Sequence, residues 1–144
     1  FWAKASIDAQ LNVAGLGNDN SGTSKFTAER GAIQLSAGWT KYTIPIPAPD
    51  KLTLEKGLFF FAEGAENGAG FTVWFDEIRF ETVTTITNPR PAIASASVTA
   101  EVGGTARVTG TSVTYAIDGS DVLIGASPNY FTYASSAPAV ATVT

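Results

Sequence analysis

Apolar and polar residues alternate over several short stretches of this chain, and that period of two is typical of β-strands. In residues 38–47, Trp39 and Lys41 fall on one side and Tyr42 on the other. Residues 71–81 alternate in the same way and place Trp74, Asp76, Ile78 and Phe80 on one face. Four more strands are predicted over residues 1–5, 10–16, 25–35 and 57–62. No stretch sustains the 3.6-residue period of an amphipathic helix.

The second half of the chain predicts shorter strands of the same kind. They cover residues 94–100, 105–108, 112–116, 121–126, 130–135 and 140–144. Turn signals separate them at Gly103-Gly104, Asp118-Gly119 and Ser127-Pro128-Asn129. Turns at intervals of roughly 8–12 residues are typical of β-sandwiches. The pattern therefore predicts an all-β fold.

A change in composition divides the chain into two predicted domains. From Ile86 to the end, 27 of 59 residues are Ala, Ser or Thr, whereas all three tryptophans lie earlier. Pro89 and Pro91 fix φ and withhold N–H donors, so we expect neither strand nor helix to run through them. The predicted organisation is a domain over residues 1–85, a linker over 86–91 and a domain over 92–144.

Composition narrows the chemistry that the chain can perform. It has no His, Cys or Met, which excludes Ser-His-Asp and Cys-His catalysis, thiolate zinc sites and disulfides. The net charge of −4 argues against a nucleic-acid partner. No apolar run approaches the ~20 residues that span a bilayer, so we expect no transmembrane segment.

Carboxylate pairs are the remaining candidates for catalysis, and neither pair is favourable. Glu63 and Glu66 fall in a glycine-rich turn, where solvated acids are usual. Asp76 and Glu77 are adjacent in a predicted strand and should point to opposite faces. We therefore expect the protein not to be an enzyme.

Several runs in the first half resemble jelly-roll carbohydrate-binding modules of the galactose-binding-like type. These runs are FWAK at residues 1–4, WTKYTIPI at 39–46, LFFF at 58–61 and VWFDEIRF at 73–80. The resemblance implies a jelly-roll β-sandwich for residues 1–85, a carbohydrate ligand, and further strands upstream of Phe1.

The end of the chain resembles a second family. The run YASSAPAVATV at residues 133–143 is similar to a strand pair of bacterial immunoglobulin-like domains of the intimin and invasin group. That family continues with further strands, so the resemblance implies a second, incomplete Ig-like β-sandwich over residues 92–144. The combination of the two modules is similar to secreted or surface-anchored bacterial proteins that handle polysaccharides.

Asp76 is the candidate metal ligand. A carboxylate on a face with Trp74, Ile78 and Phe80 is costly unless it is paired or binds a metal. The jelly-roll resemblance implies a structural Ca²⁺ at this position, where calcium would need six to eight oxygen ligands. The alternative is that Asp76 caps turn amides or pairs with a basic side chain.

Sugar binding requires an exposed aromatic plane beside groups that hydrogen-bond ring hydroxyls. The predicted ligand-binding residues are Trp2, Lys4, Asn12, Glu29 and Arg30. Trp39 and Tyr42 are expected to belong to the framework of the domain instead.

Two functions fit these observations. The first is a non-catalytic, extracellular carbohydrate-binding module with an Ig-like spacer, whose partner is a polysaccharide or another glycan. The alternative is a structural subunit of an extracellular filament, in which copies of the chain associate by β-strand complementation. Both place the protein outside the cell or on the bacterial cell surface.

Overall fold

The computed structural model of the chain describes residues 1–19, 21 and 23–143, and this part forms an all-β sandwich of two antiparallel sheets. The strands are β1 (Trp2–Ala5), β2 (Ala9–Leu16), β3 (Ala28–Leu35), β4 (Thr40–Lys41), β5 (Phe60–Ala62), β6 (Val73–Asp76), β7 (Ile86–Ile93), β8 (Thr111–Ile117) and β9 (Ser120–Ala126). Single turns of 3₁₀-helix lie at Pro49–Lys51 and Pro128–Tyr130. The predicted all-β fold is confirmed.

The two sheets differ in size. The smaller sheet has the order β4-β1-β6, with β1 in the centre. The larger sheet has the order β5-β2-β3-β9-β8-β7, and its β3–β9 pairing joins Ala28 to Ala126 and Glu29 to Gly125. Strands from both halves of the sequence therefore belong to one sheet.

The first apolar core lies against the inner side of the small sheet. Ala3 and Ala5 of β1 are fully buried there together with Leu11 and Ile33 of the large sheet. Val73, Phe75 and other partly buried hydrophobic residues pack against this cluster. Because successive side chains of a strand point to opposite sides, the intervening residues of β1 and β6 point outward.

A second apolar core joins the two halves of the sequence. Leu16 and Ala28 pack there with Val113, Val122 and Ile124, which belong to β8 and β9. The largest fully buried side chains described are Leu11 and Ile33 in the first core and Ile124 in the second. Truncating any of them to Ala should cost about 2–5 kcal/mol of stability.

Residues 86–91, predicted as a linker, form most of β7. The expectation that no strand runs through Pro89 and Pro91 is wrong, since β7 spans both prolines. The strand lies at the edge of the sheet, and its register with β8 shifts between Thr87 and Arg90. Edge positions and bulges tolerate proline because no ladder hydrogen bond depends on its missing N–H. Strand pairing does not decide the number of folding units, so the division at residues 85 and 92 stays a prediction.

Several predicted strands are shorter than expected or do not form in the described residues. The strand predicted over 38–47 is reduced to β4, and that over 71–81 ends at Asp76 because Glu77 takes a positive φ of 46°. The described parts of 94–100, 105–108, 130–135 and 140–144 contain no strand. Thr144 lies outside the described residues.

Candidate functional site

All three tryptophans of the chain meet on the outer side of the small sheet. Trp2 of β1 lies opposite Lys41 of β4 and Asp76 of β6 in the strand registers. Lys4 of β1 lies opposite Trp74 of β6 and contacts Trp39, which precedes β4. We call this surface the tryptophan face and define it by Trp2, Lys4, Trp39, Lys41, Trp74 and Asp76. It consists of aromatic rings interleaved with charged groups.

Lys4 lies between two of the indole rings. Its Nζ is 5.0 Å from the ring centroid of Trp39 and 5.1 Å from that of Trp74. Both distances are within the range of a cation–π interaction, which fixes the ammonium group relative to the two rings. The two tryptophans remain 44% and 43% exposed, so each ring presents a large part of its surface to solvent.

A shallow groove of about 160 Å³ opens at one end of the tryptophan face, and Trp2, Trp39, Asp76 and Glu77 line it. The expectation that Asp76 and Glu77 point to opposite faces is wrong. Strand alternation ends at Glu77, where φ is 46°, and both residues line the same groove. The Oδ1 atom of Asp76 accepts a hydrogen bond from the Glu77 amide at 2.7 Å.

Ion pairs occupy the other charged groups near this groove. The Nζ atom of Lys41 lies 2.5 Å from the Oε1 atom of Glu81. The guanidinium of Arg79 contacts the carboxylate of Glu77 at 3.1 Å and that of Glu81 at 3.3 Å. The hydrogen bond from the Lys41 side chain lowers the pKa of Glu81, and Arg79 lowers it further. Among the described residues, Lys4 makes no ion pair with a carboxylate.

A second surface, which we call the polar cleft, lies on the large sheet and has a volume of about 390 Å³. Its lining is Asp8, Ala9, Gln10, Asn12, Gln34 and residues 63–66. Glu63 accepts the backbone N–H of Asn12 at 2.6 Å, and Glu66 accepts that of Gln10 at 3.2 Å. These carboxylates continue the hydrogen bonding of β2 where its pairing with β5 ends at Ala62. Their positions thus satisfy backbone donors of the sheet edge.

The five predicted ligand-binding residues are divided among different surfaces. Trp2 and Lys4 lie on the tryptophan face, whereas Asn12 lines the polar cleft. Glu29 is exposed on β3, and its side chain lies over Gly125 of β9, where an added Cβ would be 3.1 Å from the Glu29 Cγ. Arg30 is half-buried and donates a 3.4 Å hydrogen bond to the Thr43 carbonyl.

Arg30 is half-buried because the alternation of β3 is interrupted. Ala28 is buried before the interruption and Ile33 after it, and Ala32 between them has a φ of 53°. Arg30 therefore lies on the same side of the strand as Ala28. Burial lowers the pKa of its guanidinium.

Three residues of this face are absent from the sequence-based candidates for ligand or metal binding: Trp39, Lys41 and Trp74. Alternation in the sequence places Trp39 on the side of its strand opposite Tyr42 and Trp74 on the same side as Asp76. The structure shows that Tyr42 is buried, so the side that carries Trp39 faces outward. What alternation cannot supply is the order of strands in a sheet. The central position of β1 is the fact that brings Lys4 between the two rings.

The oxygen donors described around Asp76 do not fit a calcium cage. Asp76 is exposed, one of its oxygens accepts the Glu77 amide, and the carboxylate of Glu77 is paired with Arg79. Within the described residues no group of three acidic side chains is close enough to hold a metal. Calcium requires six to eight oxygen ligands. The Ca²⁺ at Asp76 stays a prediction.

Comparisons with protein-family models, curated protein sequences and solved structures return no match to this chain. The resemblances to jelly-roll carbohydrate-binding modules and to bacterial immunoglobulin-like domains therefore stay predictions. In the described part of the chain, no helix has the length and apolar character to cross a membrane.

Proposed function

We propose that the protein is a non-catalytic carbohydrate-binding module with an Ig-like spacer, from a secreted or surface-anchored bacterial protein, and that it binds glycan through the tryptophan face. The observation that carries the proposal is the presence of all three tryptophans on one exposed side of a small sheet. Indole rings pack against the C–H face of a pyranose, and this contact accounts for most of the expected affinity.

The charged groups between the rings supply the polar part of such a site. The carboxylate of Asp76 lies at the groove and accepts hydrogen bonds from hydroxyl groups, whereas the ammonium of Lys4 donates them. Because the strands are fixed by sheet pairing, these groups are held in place before a ligand arrives. Such preorganisation reduces the entropy lost on binding.

The geometry of the groove favours binding over catalysis. Its volume of about 160 Å³ is below the roughly 300–1,000 Å³ typical of pockets that enclose a small molecule. Asp76 and Glu77 are both exposed, and Glu77 is engaged by Arg79. A shallow, solvated carboxylate pair lacks the water exclusion that supports acid–base chemistry.

Affinity electrophoresis with soluble β-glucans and related polysaccharides tests this proposal. We expect at least one polysaccharide to retard the wild-type protein and Trp74→Ala to remove the retardation. Leu123→Ala is the control, because it removes an exposed apolar side chain from β9 of the large sheet and should leave the mobility shift unchanged. Absence of retardation by every polysaccharide tested would overturn the proposal.

A second candidate function is supported by residues 94–102. Ala94, Ala96, Val98, Ala100 and Val102 alternate with polar residues, as in a half-buried strand. This segment is exposed and pairs with no strand among the described residues, and the side chain of Val98 is 64% exposed. A partner that covers its apolar side would stabilise it, so association of copies by β-strand complementation is the alternative proposal.

Light scattering over a range of protein concentrations tests the alternative. We expect assembly to be lost in Val98→Asp, which charges the apolar side of the segment. Ser97→Asp places the same charge on the polar side and should leave assembly intact. A monodisperse monomer at every concentration would remove this candidate.

A further inference from the structure

The feature that distinguishes the tryptophan face from a neutral aromatic platform is the position of Lys4. Its ammonium lies about 5 Å from two indole centroids, in the centre of the small sheet. Aromatic rings attract a cation without neutralising its charge. Lys4 therefore presents a full positive charge between two surfaces suited to sugar rings.

Among the described residues, Lys4 is the cation of this surface that no carboxylate pairs with. Lys41 and Arg79 are engaged by Glu77 and Glu81, whereas Lys4 forms no ion pair among the described residues. A ligand anion would thus meet compensated charges at Lys41 and Arg79 and an uncompensated charge at Lys4. Charge complementarity favours an anionic group directly over Lys4.

Acidic residues at one end of the tryptophan face would orient a ligand that carries a negative charge. Asp76 and Glu77 line the groove beside Trp2, which lies two residues before Lys4 on the same strand. The carboxylate of Asp76, which makes no ion pair among the described residues, would repel an anion and accept hydrogen bonds from neutral hydroxyls, whereas the charge of Glu77 is compensated by Arg79. A sugar that carries both a carboxylate and free hydroxyls matches the two ends of the face in one orientation only.

We infer that the tryptophan face selects polysaccharides containing uronic acids, with the uronate carboxylate bound by Lys4 and the pyranose rings packed on Trp39 and Trp74. This inference rests on the proposed glycan binding and names the class of glycan. An acidic peptide offers the same carboxylate but lacks pyranose faces for the two rings, so the surface fits it less well.

The test compares each acidic polysaccharide with its own carboxyl-reduced form. Suitable probes are polygalacturonate, alginate and hyaluronan, since reduction to the neutral sugar removes the charge and keeps the backbone. For at least one pair, we expect the acidic form to bind about tenfold or more tightly, as a charge-assisted contact would produce. Affinity electrophoresis and isothermal titration calorimetry give the two dissociation constants.

Three variants assign the preference to Lys4. Lys4→Gln should bring the affinity for the acidic form down to that for the reduced form, whereas Lys4→Arg should keep most of the difference. Lys56→Gln removes the same charge from an exposed lysine outside the tryptophan face and should change neither affinity. Circular dichroism checks that each variant is folded.

The possible outcomes separate this inference from the proposed function. Equal binding of acidic and reduced forms would overturn the uronate preference and leave glycan binding standing. No binding of any polysaccharide would overturn both. Binding of poly-glutamate with the same affinity and the same dependence on Lys4 would assign the surface to acidic peptides instead and also overturn the inference.

Discussion

The tryptophan face and the polar cleft are both rich in polar groups, but they use them differently. In the cleft, Glu63 and Glu66 accept backbone N–H groups of β2 and so complete the hydrogen bonding of a sheet edge. On the tryptophan face, Lys4 contacts only ring surfaces among the interactions described, and Trp39 and Trp74 stay more than 40% exposed. The larger cavity is therefore not the better candidate for ligand binding.

The difference shows that a side chain's existing contacts decide what it has left for a ligand. A carboxylate already bonded to an amide loses that bond, or shares it, when a ligand arrives. The exposed parts of the Trp39 and Trp74 side chains, 44% and 43%, lose mainly water when a ligand covers them. We expect substitutions on the two surfaces to separate binding from stability.

The largest effect is expected for Trp39→Ala combined with Trp74→Ala. Removing both rings should weaken glycan binding by at least about 2 kcal/mol, which is roughly 30-fold, as for other central aromatic anchors. Isothermal titration calorimetry gives the affinity. Gln34→Ala in the polar cleft is the matched control and should leave the affinity unchanged. An equal loss in the control would contradict the assignment of the site.

Glu63→Ala tests the polar cleft and should reduce the stability of the fold rather than its affinity for glycan. Its carboxylate accepts the amides of Asn12 at 2.6 Å and Gly64 at 2.8 Å. Loss of both bonds should cost about 1–2 kcal/mol, and Glu63→Gln, which keeps one acceptor, should cost less. Urea unfolding measures both changes. The comparison of the two surfaces fails if Glu63→Ala abolishes glycan binding while its stability is unchanged.

Tyr130, which packs against the second core, and the nearby Tyr133 extend the comparison to hydroxyl groups. The Tyr130 hydroxyl is buried and has no hydrogen-bond partner among the described residues, whereas the Tyr133 hydroxyl donates to the Pro128 carbonyl at 2.9 Å. We expect Tyr130→Phe to be neutral or stabilising by up to about 1 kcal/mol, and Tyr133→Phe to cost about 1 kcal/mol. Chemical denaturation at pH 7 measures the free energy of unfolding of both variants and shows which of them is more stable.

Tyr130 also predicts the behaviour at high pH. Burial raises its pKa to about 12, compared with about 10 in an unfolded chain. Between these values the unfolded chain has lost a proton that the folded protein retains, so stability falls as the pH rises from about 10 to about 12. Tyr130→Phe should make this fall smaller. An identical fall in the variant would show that other groups are responsible.

The smallest effect concerns Glu81, at the border of the tryptophan face. Lys41 and Arg79 lower its pKa in the folded protein. Its contribution to stability is therefore complete above the unfolded value of about 4.3, and it is lost as the pH falls through the lower folded value. Glu81→Gln should flatten this part of the acid unfolding curve slightly. Glu101→Gln, at an exposed residue with no ion pair among those described, should leave the curve unchanged.

The sequence predicts strand positions well wherever one side of the strand is buried. β2, β8 and β9 lie close to their predicted limits because alternate residues such as Leu11, Val113 and Ile124 enter the cores. The run at 71–81 predicts a longer strand than forms, since a local backbone turn at Glu77 interrupts a pattern that continues in the sequence.

Sequence pattern predicts the candidate site only in part. It selects Trp2, Lys4 and Asp76 individually, and the structure brings these residues together with Trp39 and Trp74. It also selects Asn12, Glu29 and Arg30, which lie on other surfaces. The reason is that strand order depends on contacts between distant segments, and periodicity describes only one segment at a time.

Nuclear magnetic resonance of the indole N–H groups tests the central claim most directly, because the chain has three tryptophans and all of them lie on the proposed surface. During titration with a polysaccharide that retards the protein, we expect the indole signals of the tryptophans to shift together and to saturate. The backbone amides of Gln10, Asn12 and Gln34 in the polar cleft should remain unshifted. Shifts confined to those amides, with unchanged indole signals, would contradict glycan binding at the tryptophan face.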